Sequence, residues 1–335
     1  MSNGCICCTL REDLMIEVEK LAKEGKFDYL IIESTGISEP VPVAQTFSFV
    51  DDESGIDLSR FAFIDTMVTV VDALNFGRTY GTADTVATLG LHEADENDAR
   101  PIVNLLTEQI EFADVIILNK TDLVEPTYLG ELKAMLKALN PRAKLLESSF
   151  GKVPLNQVVN TGFFDITLAS QTDLWQKELA MAGKHTPETE EYGFGSFVFR
   201  DKKPFHPMRF FRYVNSNWPV NILRSKGLFW LASRRKNALM WNQAGGSLRA
   251  EPAGFWWSGL DREERETHPS FIENRTSILS RWDNEFGDCV QEIVIIGQDL
   301  DQDSITNELK ACQLTDDELQ LWKANKLKLE DPWQL

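Results

Sequence analysis

Cationic residues are scarce in this 335-residue chain. Lys and Arg number 34 against 52 Asp and Glu, a formal net charge of −18. So acidic a chain argues against nucleic acid as a partner, because phosphate binding needs a basic face; a cationic client or a metal ion suits it better. No apolar run approaches the roughly 18 residues of a membrane span, so no membrane partner is expected. The first residues lack the basic-then-apolar pattern of an export signal. Cysteine is sparse too: five in all, an odd count that does not make a disulfide framework. Three of them stand at positions 5, 7 and 8, which points to a reducing cytoplasm where clustered thiols serve metal binding or redox chemistry. Low-complexity tracts and internal repeats are absent, and 43% hydrophobic with 26% charged residues excludes general disorder.

The remaining pattern divides in two. Leu10, Leu14, Val18 and Leu21 are spaced for one helical face, and Tyr29-Leu30-Ile31-Ile32 then reads as a strand buried on both sides. Further strands are expected at Met67 to Val71, Val115 to Leu118 and Ala143 to Leu146, with helices at Ile102 to Phe112 and Leu129 to Leu139. Strands spaced by helices imply a parallel α/β sheet. The polar stretch 170–191, with Ala182-Gly183-Lys184 as a turn signal, reads as a linker between a first domain at 1–169 and a second at 192–335. Eight of nine tryptophans lie after residue 200, among short strand runs at Phe194 to Phe199, Gly227 to Ala232 and Glu292 to Ile296. Helical patterns at Met208 to Val214 and Ile305 to Ala311 make this second part a small α+β domain.

Three motifs carry chemistry. Asn119-Lys120-Thr121-Asp122 follows an apolar strand, where ligand loops of a doubly wound sheet sit. In GTP-binding proteins this tetrad reads the base: the Asp carboxylate accepts from the N1 and N2 donors of guanine, which adenine cannot supply. The plainer alternative is a turn that happens to favour Asn and Asp. Glu33-Ser34-Thr35-Gly36 follows the first strand run in the same way. Glu33 could hold Mg²⁺ or orient a nucleophile and Gly36 could let backbone approach a γ-phosphate, or Ser34 or Thr35 could simply cap a helix. Cys5-Ile6-Cys7-Cys8 can supply three corners of a Zn²⁺ tetrahedron and leave the fourth open, as suits metal transfer. A Cys5–Cys8 redox pair and inert packed thiols are the alternatives. Cys289 and Cys312 read as packed thiols, His206 as a structural imidazole, the acidic loop around His92 as a solvated face, and Arg234-Arg235-Lys236 as surface.

Asn3 to Leu14 (NGCICCTLREDL), Leu30 to Pro40 (LIIESTGISEP), Val68 to Leu74 (VTVVDAL), Gln109 to Val124 (QIEFADVIILNKTDLV) and Pro204 to Phe210 (PFHPMRF) closely resemble the CobW-like metal-chaperone GTPases. The C-terminal half also resembles the CobW C-terminal domain, through Leu223 to Ala232 (LRSKGLFWLA), Gly287 to Gly297 and Leu314 to Leu319. The resemblance implies metal ligands at Cys5, Cys7 and Cys8, a Mg²⁺ and γ-phosphate switch at Glu33, and guanine read by Asn119, Lys120 and Asp122. Ser148 and Ser149 would border the base. Zn²⁺ or Co²⁺ would be the metal, GTP with Mg²⁺ the nucleotide, and a client metalloprotein the recipient. Nucleotide state would change the cysteine geometry, which requires the metal to bind the two states differently.

One departure stands out. The phosphate loop G-x-x-x-x-G-K-[ST] occurs nowhere: Gly25-Lys26, Gly151-Lys152 and Gly183-Lys184 are followed by Phe27, Val153 and His185. In the family that loop, with its strand and helix, precedes the cysteine motif; here Met1 to Gly4 alone do. The expectation is therefore an N-terminally truncated form, an α/β GTPase-like domain short of its first strand and phosphate loop, about one βαβ unit, followed by the smaller α+β domain. Little GTP hydrolysis is expected without those groups, and an exposed sheet edge and apolar gap favour aggregation. A nucleotide-independent metal-binding protein and a thiol oxidoreductase remain as alternatives.

Overall fold

A computed structural model of the chain describes residues 11–34, 39–48, 57–81, 84–85, 100–165 and 192–335. The chain divides into two compact units, Met1–Glu178 with Gly245–Ser247, and Leu179–Ala244 with Leu248–Leu335. The expected linker at 170–191 lies outside the described residues, as does the loop around His92.

The first unit runs α1 (Arg11–Glu24), α2 (Pro40–Ser48), β1 (Val68–Asp72), α3 (Phe76–Tyr80), α4 (Ile102–Phe112), β2 (Val115–Asn119), α5 (Pro126–Leu139) and β3 (Lys144–Glu147). The strands form a parallel sheet in the order β1-β2-β3, with Asp72 opposite Asn119 and Leu118 opposite Glu147. Central β2 buries Val115, Ile116, Ile117 and Leu118 on both faces, which is why it reads as a continuous apolar run. Asn140 fastens the layer: its Nδ2 donates to the carbonyls of Ile110, Glu111 and Ala113 at 2.7, 3.1 and 2.9 Å. Its Oδ1 accepts from the N–H groups of Arg142 and Ala143 at 3.1 Å each. One buried side chain thus satisfies the carbonyls at the end of α4 and starts β3.

The run Tyr29 to Ile32 corrects the expectation of a buried strand. It has no strand ladder among the described residues, and Ile31 is 77% exposed. Ile32 alone of the four packs inward, against Leu14, Met15, Val18, Phe47 and Leu58. Apolar side chains do not make a parallel strand without neighbours to hydrogen-bond on its flanks, and the described sheet has three strands rather than four. β1 in turn is an edge of the described sheet, with Val68 exposed and Val70 63% exposed. Tyr29 is tied by its hydroxyl to Asp65 Oδ2 at 2.8 Å. Burial works against the Asp65 carboxylate, yet donors from Gly162, Tyr29, Thr66 and Thr161 hold its pKa at about 2.

The second unit runs β4 (Phe194–Asp201), α6 (Pro207–Ser216), β5 (Ile222–Phe229), β6 (Asn237–Ala244), β7 (Ser247–Phe255), α7 (Arg262–Thr267), α8 (Pro269–Ser280), β8 (Gln291–Gln298), α9 (Gln302–Ala311) and α10 (Asp316–Lys323). Its sheet has the order β4-β8-β5-β6-β7, with β8 antiparallel to both β4 and β5 and β5 antiparallel to β6. The core contains Phe199, Phe205, Phe210, Phe229, Trp241, Ile293 and Ile295, with Phe205 and Phe210 stacked at 4.1 Å. Gly227 is required by close approach, because a Cβ there would meet the Glu292 carbonyl at 2.0 Å. The β6–β7 hairpin and helices α7, α8 and α10 had not been anticipated. His206 caps α6 by accepting from Arg209 N–H, a structural role as expected. Cys289 and Cys312 are buried thiols, pushed up to about 12 and about 11, chiefly by burial. Arg234 and Arg235 are more than surface charge. Arg234 binds Asp331 and the Trp333 carbonyl, and Arg235 lies over the Trp322 ring at 3.8 Å, so both hold down the C-terminal segment.

Candidate functional site

The carboxyl ends of β1, β2 and β3 meet in one cluster of loops. β2 ends at Asn119, and the chain leaves it through Lys120 in the left-handed region, φ 64°. The Lys120 ammonium reaches sideways to Asp72 Oδ2 at 2.6 Å, at the tip of the neighbouring strand. Asp72 also accepts from the N–H groups of Leu74 and Asn75 and from Asn75 Nδ2 at 3.0, 3.3 and 2.8 Å. Burial opposes ionisation of this carboxyl, but the Lys120 and Asn75 donors outweigh it and its pKa is lowered. Asp72 therefore sets both the turn after β1 and the direction of Lys120. Sequence reasoning missed it as a site residue, although an acid closing the β-branched run VTVVD, one strand from the tetrad, was a usable signal.

The other side of the tetrad is braced by the loop after β3. Asn119 Oδ1 accepts from Gly151 N–H at 3.0 Å, and Ser148 N–H donates to the Leu118 carbonyl at 2.9 Å. The Ser148 carbonyl accepts from Thr121 N–H at 3.2 Å and from Thr121 Oγ1 at 3.1 Å. Ser148 is buried and its hydroxyl donates to the Lys152 carbonyl at 3.3 Å, so its side chain shapes the loop. Asp122 lies in the short helical turn Thr121–Leu123, exposed and with no hydrogen-bond or ion-pair partner among the described residues. Two of the expected base-reading residues, Asn119 and Lys120, are thus spent as braces, and the Asp122 carboxylate that follows them is left as an open double acceptor.

The structure brings together Asn119, Lys120, Asp122 and Ser148. Glu33 stands apart on the irregular segment after α1, exposed, with no hydrogen bond or ion pair among the described residues. A single exposed carboxylate does not by itself make a Mg²⁺ site, which takes one or two carboxylates together with phosphate oxygens. Gly36 and the metal candidates Cys5, Cys7 and Cys8 lie outside the described residues. Among the described residues no group of three or more His, Cys, Asp or Glu could hold a metal ion, and no helix is long and apolar enough to cross a membrane.

A parallel α/β sheet with a cluster of loops at its carboxyl edge, followed by a unit built on an antiparallel sheet, defines a two-unit protein, α/β then α+β. Residues 1–147 match the CobW/HypB/UreG nucleotide-binding domain, and residues 194–313 match the cobalamin synthesis protein cobW C-terminal domain. The chain belongs to the CobW family. It is 43% identical over 338 residues to the zinc-regulated GTPase metalloprotein activator 1 of Dictyostelium discoideum, covering 100% of this chain and 70% of that protein. It is 26% identical over 336 residues to zinc chaperone Rv0106 of Mycobacterium tuberculosis, covering 96% of this chain and 77% of that protein. Zn(II)-bound YjiA GTPase from E. coli, a solved structure, aligns over 94% of this chain and 79% of its own at 21% identity. Its TM-score of 0.35 is too low to carry an argument.

Proposed function

We propose that this chain is a metal chaperone whose cargo is zinc, with Co²⁺ the alternative, and that guanine nucleotide held at Asn119, Lys120 and Asp122 governs transfer of the ion to a client metalloprotein in the cytoplasm. The observation that carries the reading is the bracing of the tetrad on both sides, by Asp72 and by Gly151, which leaves the Asp122 carboxylate open. A carboxylate so placed accepts two hydrogen bonds from guanine and rejects adenine. The names of the Dictyostelium and Mycobacterium relatives support zinc.

In this reading Cys5, Cys7 and Cys8 bind the cargo as thiolates and leave one position for the client. Glu33 and the backbone at Gly36 face the phosphates and Mg²⁺, and Ser148 shapes the rim around the base. Nothing in the 335 residues matches a phosphate loop, so the chain by itself binds guanine nucleotide weakly and hydrolyses little of it, since backbone donors and a lysine around the phosphates supply most of the stabilisation in phosphoryl transfer. The same feature favours, as second reading, a nucleotide-independent metal-binding protein.

Calorimetric titration with Zn²⁺ and Co²⁺, with and without GDP, separates the two. The chaperone reading expects guanine binding and a metal affinity that differs between the nucleotide-bound and free states; equal affinities would sink it in favour of the second. Asp122→Asn replaces one acceptor by a donor, and should weaken GDP by about a hundredfold, two charge-assisted bonds at the low end of their range, while admitting the xanthine nucleotide.

A further inference from the structure

The loop that braces the tetrad contains a residue that local physics does not favour. Lys152 N–H donates to the Ser149 carbonyl at 3.3 Å, closing a four-residue turn. Its two central residues are both left-handed, Phe150 at φ 58° and Gly151 at φ 67°. Two positive φ values in a row are the signature of a type I′ turn, whose first central position favours Asn, Asp or Gly. Glycine occupies the second position, as the geometry asks. Phenylalanine in the first is strained, because its Cβ crowds the backbone there. It also gains no burial in return: Phe150 is 83% exposed, and it touches no other ring and joins no apolar cluster among the described residues.

A strained residue held with its aromatic ring in solvent calls for a ligand rather than a fold. Its position says which. The next residue, Gly151, gives its N–H to Asn119 Oδ1, so Phe150 stands one peptide, about 3.8 Å, from the residue that binds the tetrad. Lys120 approaches from the other loop, also left-handed, with its ammonium anchored on Asp72 and its methylene stem available as a second apolar surface. We propose that Phe150 is a base-stacking residue: its ring covers one face of the guanine whose edge Asp122 reads. This rests on the base-reading role of the tetrad and adds the group that binds the face of the purine. Aromatic rings bind any base by stacking, so Phe150 supplies affinity and Asp122 supplies the choice of base.

The test measures GDP and ADP binding to the whole chain by calorimetry, with wild type, Phe150→Ala, Phe150→Asn, Phe150→Trp and Asp122→Ala, alongside melting temperatures. Loss of a stacked ring weakens GDP about fivefold or more in the Ala and Asn variants, whereas Trp stays within about twofold of wild type, because it keeps a stacking face. Asn suits the turn, so Phe150→Asn should melt no lower than wild type even as it binds worse; a purely structural residue would move both readings the same way. If Phe150→Ala and Phe150→Asn bind GDP as wild type does while Asp122→Ala fails, the stacking role is overturned and base reading stands. If wild type binds GDP no better than ADP, base reading fails and the stacking proposal with it.

Discussion

Asn140 offers the most exact test of how the first unit is held. It is 3% exposed and makes five hydrogen bonds, three as donor to the carbonyls at the end of α4 and two as acceptor at the start of β3. The amide has two N–H protons, so one is shared between two of the three carbonyls, and at a net of about 1 kcal/mol per proton or lone pair the set sums to about 4 kcal/mol. Asn140→Ala vacates space for a water that can satisfy part of the set, so the expected loss is about 2 to 3 kcal/mol. Asn140→Asp keeps one acceptor but turns a carboxylate oxygen toward three carbonyls; at pH 7 it should cost at least as much as alanine. Eight of the nine tryptophans lie beyond residue 200, so fluorescence reports mainly on the other unit and would miss the effect. Native-state amide exchange at Ile116, Ile117 and Leu118, in the central strand, reads the opening free energy directly. A loss below about 1 kcal/mol, or an aspartate variant milder than the alanine, would refute the claim that this one side chain fastens the layer.

Two further outcomes are expected. In the second unit Glu318, bound by Arg209 at 2.5 Å, is held at about 2 against an ordinary 4.5, chiefly by the Arg209 hydrogen bonds. A lowered pKa stabilises above the unfolded value and is lost as pH falls toward the folded one, so the stability gap between wild type and Glu318→Gln should be full at pH 6 and shrink between about 4.5 and 2; tryptophan fluorescence in urea measures it, and a gap independent of pH would contradict the assignment. At the open edge of the first sheet, Val70→Lys should slow aggregation seen by light scattering, because an edge charge blocks strand addition. It should change stability by under about 0.5 kcal/mol, since the side chain is exposed; unchanged aggregation would show that this edge is not where chains meet.

Where a segment's burial is written in its own pattern of residues, the sequence was enough. The helix Ile102–Phe112 and the strands near Val115, Lys144 and Gln291 follow from periodicity and apolar runs, because central strands and amphipathic helices carry their burial in their own pattern. Tyr29 to Ile32 shows the limit: its composition is that of a buried strand, but strandhood depends on hydrogen-bond partners that the segment does not itself contain. The hairpin Asn237–Ala244 with Ser247–Phe255 was missed for a related reason. Edge strand β7 carries Arg249, Glu251, Pro252 and Gly254, residues that suit an edge and hide the strand signal.

For the site, the sequence by itself determined which residue types stand where the proposed chemistry needs them. The tetrad Asn119 to Asp122, the clustered thiols Cys5, Cys7 and Cys8 and the want of a phosphate-loop pattern are all properties of residue types at short spacing, and a string of residues displays these directly. Only the tertiary structure decided which groups are free to act. It spent Asn119 on Gly151 and Lys120 on Asp72, turned the Ser148 hydroxyl inward, and left Asp122 and the Phe150 ring in the open. Those assignments depend on strand ends brought side by side from positions 72, 119 and 148, and hydrogen bonds between residues so far apart in the chain exist only once the parallel sheet has set them in register.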